Sequence, residues 1–483
     1  MKLLKLTAVI FVLSIHLFAQ SAGSIGMPDA RATAMGRTYT ASSLGVDGIG
    51  TNPATILNKK DLTKKWELRT LLPAPQLGFN IGSNFITIDE YNYFFGEKTV
   101  GADGKDVGRY LNSDDKDRLS ELFADGGTIQ SDINFTLLSV IYKPNDKVGA
   151  FGFAISDVFG SNLTFPRGLI DLIMHGNTQG DEFNFDDAGL EAWWLRKYAF
   201  TYARTVNILP KMFEQVNLGI SFNFVSGFFY TGIERMKSQF STGPENALTI
   251  KNDFLAYSSF SNDFGVAYGF DSTSFGKKSS PGLFPSPAGG GFGVDLGFWG
   301  KINEAWAIGF SLTDLGSVKW DQNVAQFKTD TVIVITNLSD ENQTKDLADK
   351  IFGQKDAEYI GSISTSLPTA LHIGVSYQLD KAKPNFPGQL LIVADYNQGF
   401  NNRIRNSTTP RVSIGAEWIP KNWILAFRTG FSFGGFHKFG WAAGGSFDFG
   451  FLELSGGTPD FHQLFMPNSA KRVSFAFDSK WKF

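Results

Sequence analysis

The sequence predicts an all-β fold: a transmembrane antiparallel β-barrel of about 14 strands, closed around a plug taken from the chain's own N-terminal stretch. Three observations predict it. Phenylalanine is abundant, 47 of 483 residues, yet beyond the first 20 or so residues no apolar run approaches the ~18 that a membrane helix needs. Segment after segment alternates apolar with small or polar side chains at period two, which puts one set on each face of a strand. Residues 23–60 are dominated by Gly, Ala, Ser and Thr, too small to bury the area that would order them alone.

Taken in order, the chain begins with a basic end, Lys2 and Lys5, then an apolar run over 6–17 and a small residue at Ala19. That pattern predicts a signal peptide over 1–19, cut after Ala19, and so an exported protein. With no cysteine, disulfides, thiolate metal sites and a lipoprotein anchor are excluded. A net charge of −3 argues against a nucleic-acid partner.

Residues 20–64 form the expected plug. Asn52 suits a helix N-cap, Pro53 the first helical position, and Ala54 continues. A segment with defined caps and no core of its own wants an enclosure, which 65–483 would supply as barrel wall. There Val216, Leu218, Ile220, Phe222 and Phe224 alternate with Asn217, Gly219, Ser221 and Asn223. The same pattern recurs at 292–298, 306–313, 371–378 and 411–418. Short turns near 143–147, 207–215, 301–304, 380–387, 419–422 and 448–450 alternate with longer connections, which predicts about 14 strands with both wall ends on the short-turn side. Tryptophans fall near strand ends and suggest two aromatic girdles. Two loop segments read as amphipathic helices: 114–123, capped near Ser113, and 167–175, with Gly168 in its first turn.

The last strand is the clearest. Val473, Phe475, Phe477, Trp481 and Phe483 share one face; Ser474, Ala476, Asp478, Lys480 and Lys482 share the other, and Ser479 is the exception. An aromatic residue closing such a strand resembles the terminal recognition signal of bacterial outer-membrane barrels. Phe475, Phe477, Trp481 and Phe483 are thus the candidate assembly signal, with barrel assembly machinery and outer-membrane lipid as expected partners.

Residues 27–41 (MPDARATAMGRTYTA), 45–54 (GVDGIGTNPA) and that final strand make the chain resemble the FadL-like outer-membrane barrels and the related PorV-like barrels. The motif is carried by Ala34, Met35, Gly36, Tyr39, Thr40 and Ala41, then Asn52, Pro53 and Ala54. The resemblance implies a barrel of about fourteen strands with an N-terminal hatch in its bore, and it carries over no substrate residues.

Catalytic and cofactor chemistry is not readable. The five histidines, His16, His175, His372, His437 and His462, lack metal-ligand spacing. Residues 269–278 miss the phosphate-loop spacing. Ser376 and His372, four apart on a strand, are too distant to bond directly. No enzyme, cofactor or metal is expected. The lumen is expected to be charged: by alternation Asp295, Asp395, Arg411, Glu417, Arg428 and Asp478 face inward. Asp29, Arg31, Arg37 and Asp47 in the plug would pair with some of them, because a charge in a narrow bore needs a partner. Two functions fit. One is a channel for passive passage of hydrophobic or amphiphilic small molecules past the hatch. The other is a PorV-like protein-interaction barrel serving an exported protein, in secretion or surface attachment.

Overall fold

The computed structural model describes residues 29–59, 63–96, 98–100, 106–145, 147–266, 268, 282–337, 340–344, 347–351, 357–435 and 438–483. The expected signal segment, the start of the plug motif with Met27, His16, His437 and all of 269–278 lie outside them.

Fourteen strands form the wall. β1 is made of two pieces, Trp66–Arg69 and Gln76–Ser83. β2 is Gly127–Asn145, β3 Gly149–Phe165, β4 Gly189–Val206 and β5 Gln215–Thr242. β6 is Gly289–Lys301, β7 Trp306–Trp320, β8 Ala370–Gln378, β9 Gln389–Gly399 and β10 Arg411–Ile419. β11 is Leu425–Gly434, β12 Phe439–Asp448, β13 Leu452–Thr458 and β14 Arg472–Lys482. Each pairs antiparallel with the next. β14 returns to β1, with Leu68 opposite Trp481 and Leu77 opposite Phe477. Trp66 and Phe483 exchange both backbone hydrogen bonds at 3.0 Å. The cylinder therefore has no free edge, the condition a sheet must meet to sit in hydrocarbon.

The alternation decides which surface meets lipid. Leu218, Phe222, Phe224, Phe292, Leu296, Phe310, Ile373, Val412, Ile414, Val473 and Phe475 stand exposed outside, while Asn217, Ser221, Asn223, Asp295, Ser311, His372, Arg411 and Glu417 are buried inside. So wide an exposed apolar belt is untenable in water and is the expected outer surface of a membrane barrel. Among the described residues no helix is long and apolar enough to cross a membrane.

Two local features follow from sequence. β1 is interrupted between Arg69 and Gln76 by Pro73 and Pro75, which donate no N–H to a neighbouring strand. The orphaned backbone is met from β14: the Ser479 hydroxyl donates to the Ala74 carbonyl, and the Trp481 indole donates to the Leu72 carbonyl at 2.9 Å. Ser479 breaks the apolar face because it serves that gap. β5 has 28 residues, about 90 Å at ~3.3 Å per residue, far more than the ~30 Å of hydrocarbon needs. Its second half leaves the membrane zone and pairs with the strand Leu248–Phe260, which pairs in turn with Ala325–Ile335.

The loop helices are α2, Ser113–Leu122, and α3, Arg167–His175. The cap of α2 is Asn112, one residue before the expected Ser113, because Asn112 and Asp115 form a reciprocal capping box. The Tyr93 hydroxyl donates to the Asp115 carboxylate at 2.6 Å and holds its pKa below the usual range. Gly168 lies in α3 because the Asn184 backbone passes where a Cβ would stand. The two helices pack on one another and on Phe85, Phe94 and Phe123, making a lid at the long-loop end.

Candidate functional site: the plugged bore

The plug is built from three short turns. α1, Ala30–Ala34, is capped by Asp29, whose carboxylate accepts from the Ala32 N–H at 2.7 Å. Gly36 follows at φ 70°, its Cα hydrogens facing the Phe431 backbone, where a Cβ would meet main-chain atoms at 3.1 Å. A 3-10 turn covers Gly45–Gly48 and a second covers Pro53–Leu57. Asn52 caps the second, accepting from Ala54 N–H at 3.1 Å while its amide donates to the carbonyls of Thr40 and Phe298. Small residues let these turns lie against the wall: a Cβ on Gly297 or Gly219 would strike Pro53–Ala54, and one on Gly415 or Gly430 would strike Met35. On the opposite side Val46, Ile49, Ile56 and Leu57 pack on Ile141, Ala150, Ala154, Ala199 and Ala203.

Three polar anchors fix it. Arg31 makes a two-pronged pair with Glu417, both contacts at 2.9 Å, and the same carboxylate accepts from Arg428 at 2.6 Å. Asp47 pairs with Arg69 and, at 2.7 Å, with Lys480; Arg69 also reaches Asp478 at 3.6 Å. Asp395 accepts from the backbone N–H groups of Tyr39 and Thr40 at 2.8 and 2.9 Å and from the Thr40 hydroxyl at 2.7 Å. Asp478 accepts from Ala30 N–H at 2.9 Å. Every one of these groups is buried. Burial, then Asp47 and Asp478, push the Asp29 carboxyl up to about 7.

The expected inward charges thus reach different fates. Arg31, Asp47, Glu417, Arg428, Asp395 and Asp478 meet plug or plug-bound partners. Asp295 does not: it accepts from the Asp314 N–H at 2.7 Å, away from the plug. Among the described residues Arg37 has no carboxylate at ion-pair distance, and burial, then Arg411, bring its pKa down to about 9. Arg69, Lys480 and Trp299, whose indole donates to the Ala41 carbonyl at 3.0 Å, are plug contacts the sequence reading missed. Lys480 and Trp299 lie on the inward phase of their strands, which is the signal that could have found them. The tryptophan pattern needs a correction. Trp66, Trp306, Trp418 and Trp423 are exposed near the short-turn end as a girdle requires, but Trp193 and Trp320 are fully buried in the bore. Trp320 shares the inward phase of Val318, and both pack in an apolar cluster. Gly289 and Gly291 meet the neighbouring β7 backbone, Gly290 the Val225 carbonyl of β5 and Gly293 the Leu367 side chain, not the plug.

The bore holds a second closure. The connection 400–410 folds inward: Ile404 is fully buried against Trp193, Leu195, Val318, Trp320 and Leu367. Arg403 pairs with Glu191 at 2.7 Å, Ile404 N–H donates to Glu191 at 3.1 Å, and Arg405 pairs with Asp132 at 3.1 Å. Between plug and inward loop, His372 joins the Tyr39 hydroxyl, Asn397 and, through its other nitrogen, Thr313. The Ser376 hydroxyl turns instead to the Ala307 carbonyl. On the other side of the plug a polar vestibule of about 1120 Å³ opens toward the short turns, bordered by Arg31, Leu44, Lys59, Trp299, Gln378 and Glu417. Among the described residues no group of His, Asp and Glu side chains could hold a metal.

This arrangement can be set beside known proteins. The model of the Family of unknown function (DUF5723) matches residues 67–458. The chain belongs to that family. No curated protein matches it. Among solved structures it is similar to the toluene transporter TbuX of Ralstonia pickettii, at 12% identity over 95% of this chain and 99% of that one, with a TM-score of 0.43. It is similar also to the Pseudomonas putida toluene transporter TodX, at 12% identity, 95% and 99% coverage and a TM-score of 0.43. A Pseudomonas aeruginosa FadL homologue gives 11%, 96% and 99%, and 0.44. At these values the fold assignment rests on the strand pairings above.

Proposed function

We propose that this member of the family is a bacterial outer-membrane channel that passes hydrophobic or amphiphilic small molecules through the bore when the plug shifts. The supporting observation is the apolar character of the bore's long-loop half: Trp193, Leu195, Val225, Val318, Trp320, Leu367 and Ile404 line it in one cluster. Water-conducting lumens are polar, so an apolar stretch of the bore favours a cargo that itself avoids water. The plug supplies the gate, being tied to the wall by a few polar contacts where a continuous strand is absent. Proteoliposomes carrying the full chain should take up a hydrophobic fluorophore faster than protein-free vesicles. Replacing Trp193 and Trp320 by aspartate should abolish the excess. Equal uptake with and without the protein would reject the channel.

One observation favours the protein-interaction reading. The projecting sheet of β5, Leu248–Phe260 and Ala325–Ile335 carries exposed Val332 and Val334. A stoichiometric exported partner that crosslinks to position 332 or 334 would support it, and bound lipid in the bore would favour the channel.

A further inference from the structure

Between plug and inward loop the bore contains a charge imbalance. Arg37 of the plug lies within electrostatic reach of Arg411, Arg472, Asp460 and Asp132; Arg405 pairs with Asp132 and Asp395 lies near Arg411. Among the described residues, four guanidinium groups thus face three carboxylates. The carboxylates are already engaged. Asp460 takes Arg472 through both oxygens at 2.8 Å, Asp132 takes Arg405, and Asp395 accepts from Tyr39 and Thr40 through Oδ2 alone, its Oδ1 having no hydrogen-bond partner among the described residues. Arg37 and Arg411 are left without a carboxylate within ion-pair distance among the described residues, although they are only 8% and 4% exposed.

Their unmet atoms are donors. Among the described residues Arg37 Nε and Arg411 Nε and Nη2 have no hydrogen-bond partner, and neither do Asn397 Nδ2 and Ser413 Oγ. Asn397 is the cross-strand partner of Arg411, and Ser413 stands two residues along β10 on the same face. Among the described residues five unmet donor atoms therefore gather here against one unmet carboxylate oxygen, Oδ1 of Asp395, which stands opposite Ser413 across the strand pair. Buried cations are not stable beside one another without an anion, and planar guanidinium forks suit oxyanions in particular.

We propose that Arg37 of the plug and Arg411 of the wall hold a small oxyanion between them, of the carboxylate or phosphate class, with Asn397 and Ser413 as neutral donors. The anion converts a like-charge repulsion between plug and wall into a bridge. The seat of the plug then depends on anion occupancy as well as on Arg31 and Asp47. The site stands on the buried charges and not on the transport reading.

The test is calorimetric titration of the full chain in detergent with inorganic phosphate and, separately, with acetate, at constant ionic strength set by chloride. Saturable binding of one anion per chain is expected, weakened tenfold or more in Arg37→Gln and in Arg411→Gln. Phosphate alone, acetate alone or both would each support the site and assign its class. No saturable heat with either anion, or unchanged affinity in both variants, would overturn it. Heat-modifiable mobility on gels reports whether each variant is a folded barrel. Should the neutral variants fail to fold, Arg37→Lys keeps the charge and loses the fork, and an undiminished affinity there overturns the bridging role. Anion binding in a protein that shows no hydrophobic uptake would retain the site and reject only the channel.

Discussion

Replacing Glu417 by Gln should unseat the plug while leaving the wall intact. Glu417 receives both prongs of Arg31 and a third donor from Arg428. The substitution keeps the volume and removes the charge, so two buried guanidinium groups are left facing one amide. Removing one partner of a buried ion pair costs about 3–5 kcal/mol. The low end applies because Arg428 keeps Glu453 at 3.5 Å and Ser446 at 2.8 Å. At ~1.4 kcal/mol per factor of ten, about 3 kcal/mol raises the population of the unseated plug roughly 100-fold. The chain has no cysteine, so Ser43→Cys, at a position only 1% exposed, gives a unique reporter of opening. Labelling by a small thiol reagent under conditions where closing outpaces modification should quicken about 100-fold in Glu417→Gln, by the population estimate above. Arg31→Gln should quicken it less, because Glu417 then still has Arg428. A rate within about threefold of the parent in a folded Glu417→Gln barrel, or the reverse order of the two variants, would refute the reasoning.

Two further predictions use the same molecule. A Cβ on Gly430 would lie 2.3 Å from the Met35 carbonyl carbon, whereas one on Gly456 would meet nothing within 4 Å; Gly430→Val should therefore speed thiol labelling of the Ser43→Cys reporter through an overpacking cost of about 1–3 kcal/mol, and Gly456→Val should leave it unchanged. Asp29 has a pKa raised from 3.8 to about 7 in the seated plug. It binds its proton more tightly there than when released, so its contribution favours the seated state at low pH and is lost as pH rises from about 4 through about 7. The Asp29→Asn substitution keeps a capping side chain at this position and removes the titration; thermal unfolding midpoints of that variant should gain on the parent between pH 5 and pH 8, and parallel profiles would count against the assignment.

Much of this architecture was legible because its physics is local. Period-two alternation marks an outer and an inner face without knowledge of the neighbouring strand, so the residues at 216–224 and 411–418 could be sorted before any pairing was known. Alternating short and long connections led to fourteen strands for the same reason. Asn52 and Pro53 could be read as a helix start because capping is a matter of adjacent residues. What was not legible depends on distant partners. That Ser479 breaks the apolar face to serve Ala74, 405 residues away in sequence, cannot be read from β14 alone. Nor can the inward course of 400–410, whose Ile404 finds its pocket only once β4 and β7 have closed around it. Alternation identified Asp295 and Asp395 as inward, but it could not say that one meets the plug and the other meets Asp314, because height along the bore is set by strand stagger.

The chain's own small-residue segment, backed by the inward loop, closes a lipid-embedded cylinder, and everything said of the bore depends on that closure. Planar-bilayer conductance tests it most directly, on the full chain, on a chain lacking residues 29–59, and on one also lacking 402–407. The full-length barrel should be closed, and ion-conducting steps should appear once both obstructions are gone, with the plug deletion contributing part of the rise. A doubly deleted barrel that is folded, inserted and still closed to ions would contradict it.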